Sequence, residues 1–200
     1  MKYFIVGLHA SGKQEVVDYL EHMGIKCGKI FSNLDEPSDE IYNSTKYELY
    51  TNEDITDIFE NDAYVFIQEI PFTTLNFKTE KYYEGLSKYS LDNNQVFVLS
   101  PDQFLAISPN TIKDDVCIVW MDSTKPHRTA RYHFEKRGYN YTKRDDHERR
   151  DLGAFVKAIY SFNNAPIIYF TDEEPCRVAS IIYTTIVHPD TFDMFVKNFN

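Results

Sequence analysis

Lys2-Tyr3-Phe4-Ile5-Val6, followed at once by Gly7-Leu8-His9-Ala10-Ser11-Gly12-Lys13-Gln14, is the stretch from which the rest of this chain can be read. An apolar, β-prone run leads into a glycine-rich turn. The turn opens a segment whose apolar residues Val16, Val17, Leu20 and Met23 have helical spacing. Strand, G-x-x-x-x-G-K turn and helix, in that order, are the layout of a P-loop, whose backbone N–H groups cradle phosphate oxygens at a helix N-terminus. Gly7, Ala10, Ser11, Gly12, Lys13 and Gln14 are therefore the expected ATP-binding residues, with Lys13 as the cation that reaches the β- and γ-phosphates. Gln14 stands where Ser or Thr normally offers a hydroxyl to Mg²⁺. Its carbonyl could accept an ion-bound water, so its expected contact with the metal is indirect.

Two hundred residues suffice for a single sizeable core, and 42% hydrophobic with 16% aromatic residues mark a globular chain. The core recipe is heavy in Tyr and Phe, fifteen of each against one Trp. No apolar run approaches a membrane span, and the N-terminus lacks a signal-peptide pattern, so a cytoplasmic protein is expected. Richness in Asn, Lys and Tyr is an association with AT-rich genomes, and a viral origin would put the protein in the host cytoplasm. Cys27, Cys117 and Cys176 are scattered without metal-ligand spacing and read as buried free thiols. A net charge of −10 argues against coating of nucleic acid, which stays possible only as an acceptor. From Lys125 to Arg150, however, nine Lys and Arg stand against four acids, a local +5 that suits a small polyanion.

Along the chain, strands are expected at the start, at Ile25 to Phe31, at Tyr47 to Tyr50, at Ala63 to Ile70, at Gln95 to Leu99, at Val116 to Met121 and at Pro166 to Phe170. Helices are expected at Glu53 to Glu60 behind a Thr51/Asp54 cap, and at Lys81 to Leu91 and Asp102 to Ile107. Others are expected at His127 to Arg137, Lys143 to Phe162 and Pro175 to Val187, with a last turn or two after His188. Continuous apolar strands alternating with helices predict an α/β fold with a parallel five-stranded sheet flanked by helices. Residues from 32 to about 91 break that alternation and read as an insertion. The expected organisation is one domain over 1–200: core 1–31 and 92–200, a substrate-binding insertion about 32–91, and a basic lid about 123–150.

With these residues in view, the chain resembles a guanylate kinase. Gly7 to Lys13 is similar to the family P-loop. Tyr47-Glu48-Leu49-Tyr50-Thr51-Asn52-Glu53 resembles the segment that opens the nucleoside-monophosphate (NMP) subdomain with a substrate-binding tyrosine, here Tyr47. Phe66-Ile67-Gln68-Glu69 resembles the stretch that presents an acid to the guanine ring, which leaves Gln68 or Glu69 in that place. Tyr82-Tyr83-Glu84-Gly85-Leu86-Ser87 resembles the Y-G-T-S turn with one residue inserted, and implies Tyr83 near the acceptor phosphate. Phe134-Glu135-Lys136-Arg137-Gly138 and Glu148-Arg149-Arg150 resemble the two lid segments. Ile167 to Asp172 resembles the strand leading to the V-N-D loop beside adenine.

The resemblance implies ATP-dependent phosphoryl transfer with Mg²⁺, a small nucleotide as acceptor, and a monomer or homodimer. Lys13, Arg137, Arg149 and Arg150 are the implied catalytic cations. Thr171 and Asp172 join the P-loop as cofactor-binding residues, and Ser32, Tyr47, Gln68, Glu69 and Tyr83 are substrate-binding residues. Asp102, at the carboxyl end of a parallel strand, is a candidate for the substrate base or, indirectly, the Mg²⁺ shell. Ser32 to Glu40 departs from the family: it has four acids and no arginine where arginines grip the monophosphate, and His133 replaces a lid arginine. These changes argue against ordinary GMP, and an amide at the ring-facing position would read a pyrimidine face as readily as guanine, so a pyrimidine or modified deoxynucleotide is the expected acceptor. The alternatives are a modified nucleoside in DNA, or a catalytically silent module that binds a protein partner.

Overall fold

The computed structural model describes residues 1–8, 10–33, 47–73, 79–112, 115–134 and 165–196, together with Gly153, Val156, Ile159 and Phe162. Its centre is β1 (Lys2–Gly7), buried from Tyr3 onward. In one sheet the order is β2 (Cys27–Gly28), β7 (Val96–Leu99), β1, β8 (Val116–Asp122) and β9 (Ile167–Thr171), all parallel. Both faces of this sheet are covered, which is why its strands read as unbroken apolar runs. Tyr3, Ile5, Val98, Val119 and Met121 pack under α1 (Lys13–His22) and α6 (Pro175–Val187) through Val16, Leu20, Val178 and Ile182. Phe4, Val6, Phe97, Leu99, Ile118 and Trp120 fill the opposite face with Phe104 of α4 (Pro101–Leu105) and with Phe162.

The second sheet has the order β4 (Tyr47–Leu49), β3 (Ile30–Ser32), β6 (Thr79–Ser87), β5 (Tyr64–Thr73). One of its faces carries Ile30, Phe66 and Leu86 into the same cluster as Phe4 and Phe97. The other carries Phe31 against Ile55 and Ile58 of α2 (Asn52–Glu60), with Tyr50 stacked on Phe31 at 5.0 Å. Helix α2 starts where its sequence says. The Thr51 hydroxyl accepts from the Asp54 amide at 3.1 Å while Asp54 accepts from the Thr51 amide at 2.7 Å, a reciprocal capping box.

Three expectations require correction. Ile25 to Phe31 is two strands: the chain pairs with β7 at Cys27 and Gly28, then crosses at Lys29 into the second sheet. Lys81 to Leu91 is not one helix. Residues through Ser87 form β6, antiparallel to β5 from Tyr64↔Ser87 to Thr73↔Thr79, and only α3 (Lys88–Asn93) is helical, with the Ser87 hydroxyl accepting from the Ser90 amide. Aromatic residues at 82 and 83 fit either period, and a partner strand decides between them. The thiols also differ: Cys117 is buried, Cys27 is half-buried and Cys176 is exposed. Burial pushes both Cys27 and Cys117 up to about 12. The helix after β8 is α5 (Lys125–Phe134), and the chain's end forms a 3₁₀ helix at Pro189–Met194. The expected Lys143 to Phe162 helix lies largely outside the described residues; Gly153, Val156 and Ile159 within it are helical.

Gly85 sets how closely β6 approaches Phe31. A Cβ there would lie 2.4 Å from the Phe31 ring and 2.5 Å from the Phe66 carbonyl oxygen, and the carbonyl belongs to the sheet and cannot turn away. Gly85→Ala is expected to destabilise the fold by about 1–3 kcal/mol, the usual range for overpacking, as read by urea denaturation. An unchanged denaturation midpoint would show that the second sheet has slack this packing denies.

Candidate functional site

The loop after β1 emerges at the carboxyl edge of the parallel sheet. Ala10 (φ 56°) and Gly12 (φ 88°) both take left-handed backbone, and the Ser11 amide donates to the Leu8 carbonyl at 3.2 Å, so the chain turns sharply into the start of α1. Left-handed backbone costs an alanine energy, so the loop holds its shape against local preference. Gly7 permits the tight junction beneath. A Cβ at Gly7 would come within 2.4 Å of the Met121 carbonyl oxygen and 2.8 Å of the Ser11 Oγ. Lys13 Nζ donates to the Gly7 and Leu8 carbonyls, both at 2.7 Å, so the cation lies folded over the loop. Ser11 is buried. Gln14 Nε2 donates to Asp18 Oδ1 at 3.3 Å, along α1, and the Gln14 side chain lines a small crevice with Val17, Glu21, Cys27 and Val98. It runs along the helix and not over the loop.

The second sheet meets the first at the carboxyl end of β7. Register puts Ser32, Glu84 and Gln68 side by side across β3, β6 and β5, on the face that also carries Ile30, Phe66 and Leu86. Ser32 and Glu84 are buried. Glu84 Oε2 accepts from Gln103 Nε2 at 2.8 Å, and Gln68 Nε2 donates to the Asp102 carbonyl at 2.9 Å. Both ties end in the first turn of α4. The Gln68 Oε1 is buried and accepts no hydrogen bond among the described residues. A carboxylate and an unsatisfied amide oxygen thus stand on adjacent strands, an arrangement that calls for donors.

Glu69 and Tyr83 lie on the other face. The Tyr83 ring packs edge-on to Phe59 of α2, its hydroxyl donates to Glu69 Oε2 at 3.4 Å, and Glu69 pairs with Lys81 at 2.7 Å. Between the two positions left open by the sequence, Gln68 is the one on the core side, and alternation puts Tyr82, not Tyr83, there. Glu84 and Tyr82 were missed because this segment reads as a helix, in which their alternation carries no meaning. Asn33 was missed too. Its Oδ1 accepts from the Tyr83 amide at 2.6 Å and its Nδ2 donates to Asn52 Oδ1, so one amide fixes the end of β3 to β6 and to the start of α2. Tyr47 stands on β4 opposite Ile30. Asp102 is in the first turn of α4. Arg137, Arg149 and Arg150 lie outside the described residues.

Thr171 ends β9, and Asp172 follows in left-handed backbone, its amide donating to the Asp122 carbonyl at 3.1 Å. Asp172 Oδ1 accepts from the Thr124 amide at 2.8 Å and the Ser123 hydroxyl at 3.0 Å. His127 Nδ1 lies 3.2 Å from that same hydroxyl and 3.4 Å from the carboxylate. Serine and aspartate share one ring nitrogen, which is the geometry of a clasp and not of a nucleophile relay. Behind it the buried Arg128 donates to the Ser123 carbonyl. The β8–α5 junction is therefore fastened to the β9–α6 loop.

No protein-family model matches the sequence, and no curated protein matches it. A solved structure does: guanylate kinase from Anaplasma phagocytophilum is similar over 95% of this chain and 85% of that one, with a TM-score of 0.51 and 9% identity. At that identity the similarity speaks for architecture. The chain has a guanylate kinase-like fold.

The clasp gives an acid-sensitive contribution to stability. Partial burial raises the Asp172 pKa, but the Thr124 amide, the two hydroxyls and His127 together outweigh it and leave the carboxyl below its ordinary 3.8. A carboxyl lowered in the folded state stabilises fully above the unfolded value and loses that contribution as pH falls through the folded one. Asp172→Ala is expected to cost roughly 1 kcal/mol at pH 7 and progressively less on acidification below pH 3.8. Denaturant titrations at neutral and acid pH check this; a cost that stayed constant with pH would remove the charge from the explanation.

Proposed function

We propose that this protein is an ATP-dependent phosphotransferase with Mg²⁺ as its second cofactor and a nucleoside monophosphate as its acceptor. The supporting observation is a juxtaposition at one sheet edge. The loop of residues 7–13 follows β1, and the polar row Ser32, Glu84 and Gln68 meets α4 at the end of the adjacent β7. Phosphoryl transfer needs positioning and neutralisation of developing charge more than covalent help. Lys13 would exchange its contacts with the Gly7 and Leu8 carbonyls for phosphate oxygens, and the loop amides would hold those oxygens in place. Arg137, Arg149 and Arg150 are the cations proposed to close over the transferring group. Thr171 and Asp172 are proposed to border the nucleotide base of ATP.

Glu84 and Gln68 narrow the acceptor. With Gln68 Nε2 committed to the Asp102 carbonyl, the pair offers two acceptor oxygens. The amide therefore cannot read a donor and an acceptor alike, which was the basis for expecting any pyrimidine. Two acceptors suit a ring edge bearing an amino group. Thymine and uracil present carbonyls on both sides of a single N–H and would face repulsion. The case against ordinary GMP rests on Asp35, Glu36, Asp39 and Glu40, which cannot supply the attraction that arginines give a monophosphate. The acceptor we propose is an amino-bearing deoxynucleotide.

Lys13→Ala is expected to lower turnover by roughly 10²-fold or more, the scale for losing one donor to transition-state charge, with weaker MgATP binding by calorimetry. Arg137→Ala or Arg149→Ala should lower kcat with little change in ATP affinity, because lid contacts strengthen late. A steady-state panel pairing the ribo- and deoxynucleotide of each base tests the acceptor. dCMP or dGMP is expected to exceed dTMP and dUMP, and turnover of GMP above all others would refute the acceptor proposal. No binding of MgATP at millimolar concentration would remove the kinase reading itself.

A further inference from the structure

We propose that Gln103 is the positioning residue of the acceptor site, the donor that fixes how the Glu84 carboxylate faces the acceptor base. The inference rests on the acceptor reading above and adds to it a residue that neither motif nor resemblance singles out. Glu84 lies mid-strand on β6, with Ser32 opposite it on β3 and Gln68 opposite it on β5. It is only 6% exposed, and its side chain takes one hydrogen bond among the described residues, from Gln103 Nε2 at 2.8 Å. A carboxylate withdrawn from water needs such a donor, and the donor's place decides which oxygen is occupied. Oε2 is committed to Gln103, so Oε1 is the oxygen left to meet a ligand.

The direction of that bond is set by the backbone. A glutamine amide carries an acceptor at one end and only donors at the other. The Ser100 amide donates to Gln103 Oε1 at 3.0 Å, and an N–H can be met there only by the oxygen. The other end is therefore the NH₂ group, which can only donate, and it is the end that meets Glu84. Gln103 is itself buried, so this order runs inside the protein from the close of β7 to the middle of β6. Gln68 is held by the same turn: its Nε2 donates to the Asp102 carbonyl at 2.9 Å, and its Oε1 is buried without a donor. Two successive residues of α4 thus orient the two acceptor groups of the polar row, Asp102 by accepting and Gln103 by donating.

Starting α4 and holding Glu84 are separable, and Gln103→Glu separates them. A glutamate at this third helical position still accepts from the Ser100 amide, but it sets a second carboxylate where the donor stood. Steady-state kinetics of the full chain with dCMP and dGMP at saturating MgATP read the effect. Gln103→Glu is expected to raise the acceptor KM about tenfold or more, the scale for losing a hydrogen bond to a charged group, with kcat and the MgATP KM moving less than about threefold. Adding Glu84→Gln restores one donor and one carboxylate with their places exchanged, and should lower the acceptor KM again by about threefold or more. Gln103→Met removes the donor without adding a charge and should raise the acceptor KM too, which decides the matter if the glutamate variant folds poorly. A wild-type acceptor KM in either single variant, or no recovery in the exchanged pair, would overturn the assignment. So would equal losses in kcat and MgATP affinity, which would give Gln103 to the fold alone. A wild-type protein that turns over no nucleoside monophosphate would instead remove the acceptor reading itself, a distinct failure.

Discussion

Everything in this molecule depends on β1 being enclosed on both edges. Its amides and carbonyls are satisfied by β7 on one side and β8 on the other, and its side chains are buried on both faces. A strand so enclosed can deliver its chain to solvent only at its end, and in a parallel sheet all the ends that deliver are on one edge. The loop at 7–13, the start of α4 after β7 and the Asp122–Thr124 corner after β8 are neighbours for that reason alone. Chemistry-bearing residues from three distant stretches of sequence gather there without any of them having to reach.

The loop itself then follows from crowding. Met121 leaves no room for a side chain at Gly7, and Lys13 finds its partners in the carbonyls that the turn exposes. A lysine satisfied by its own backbone is a stored cation. Under the proposed function, an arriving phosphate would compete with these two carbonyls for the ammonium.

How much of this was legible in the sequence depended on the range of the interaction. Short-range signals held well: the Thr51/Asp54 capping box, the glycine turn at 7–12, Pro175 opening α6 and the apolar runs of β7, β8 and β9 all state their structure locally. Signals that need a distant partner did not. Lys81 to Leu91 has aromatic and aliphatic residues at spacings a helix accepts, and only the pairing with β5 makes a strand of its first part. Lys29, where the chain leaves one sheet for the other, carries no local mark. The candidate site divides the same way. The P-loop residues announce themselves, whereas Glu84, Tyr82 and Asn33 acquire meaning only from register.

Gln103 carries a further consequence. Its carbonyl oxygen accepts from the Ser100 amide, closing the capping box that starts α4, while its amide nitrogen holds Glu84 of the second sheet. Gln68 grips the same helical turn through the Asp102 carbonyl. The short helix is therefore bolted to the second sheet at two points, yet covalently it is the continuation of β7. In mechanical terms it is a pin through two leaves: the second sheet cannot shift against the first without stretching those two hydrogen bonds or carrying this turn with it.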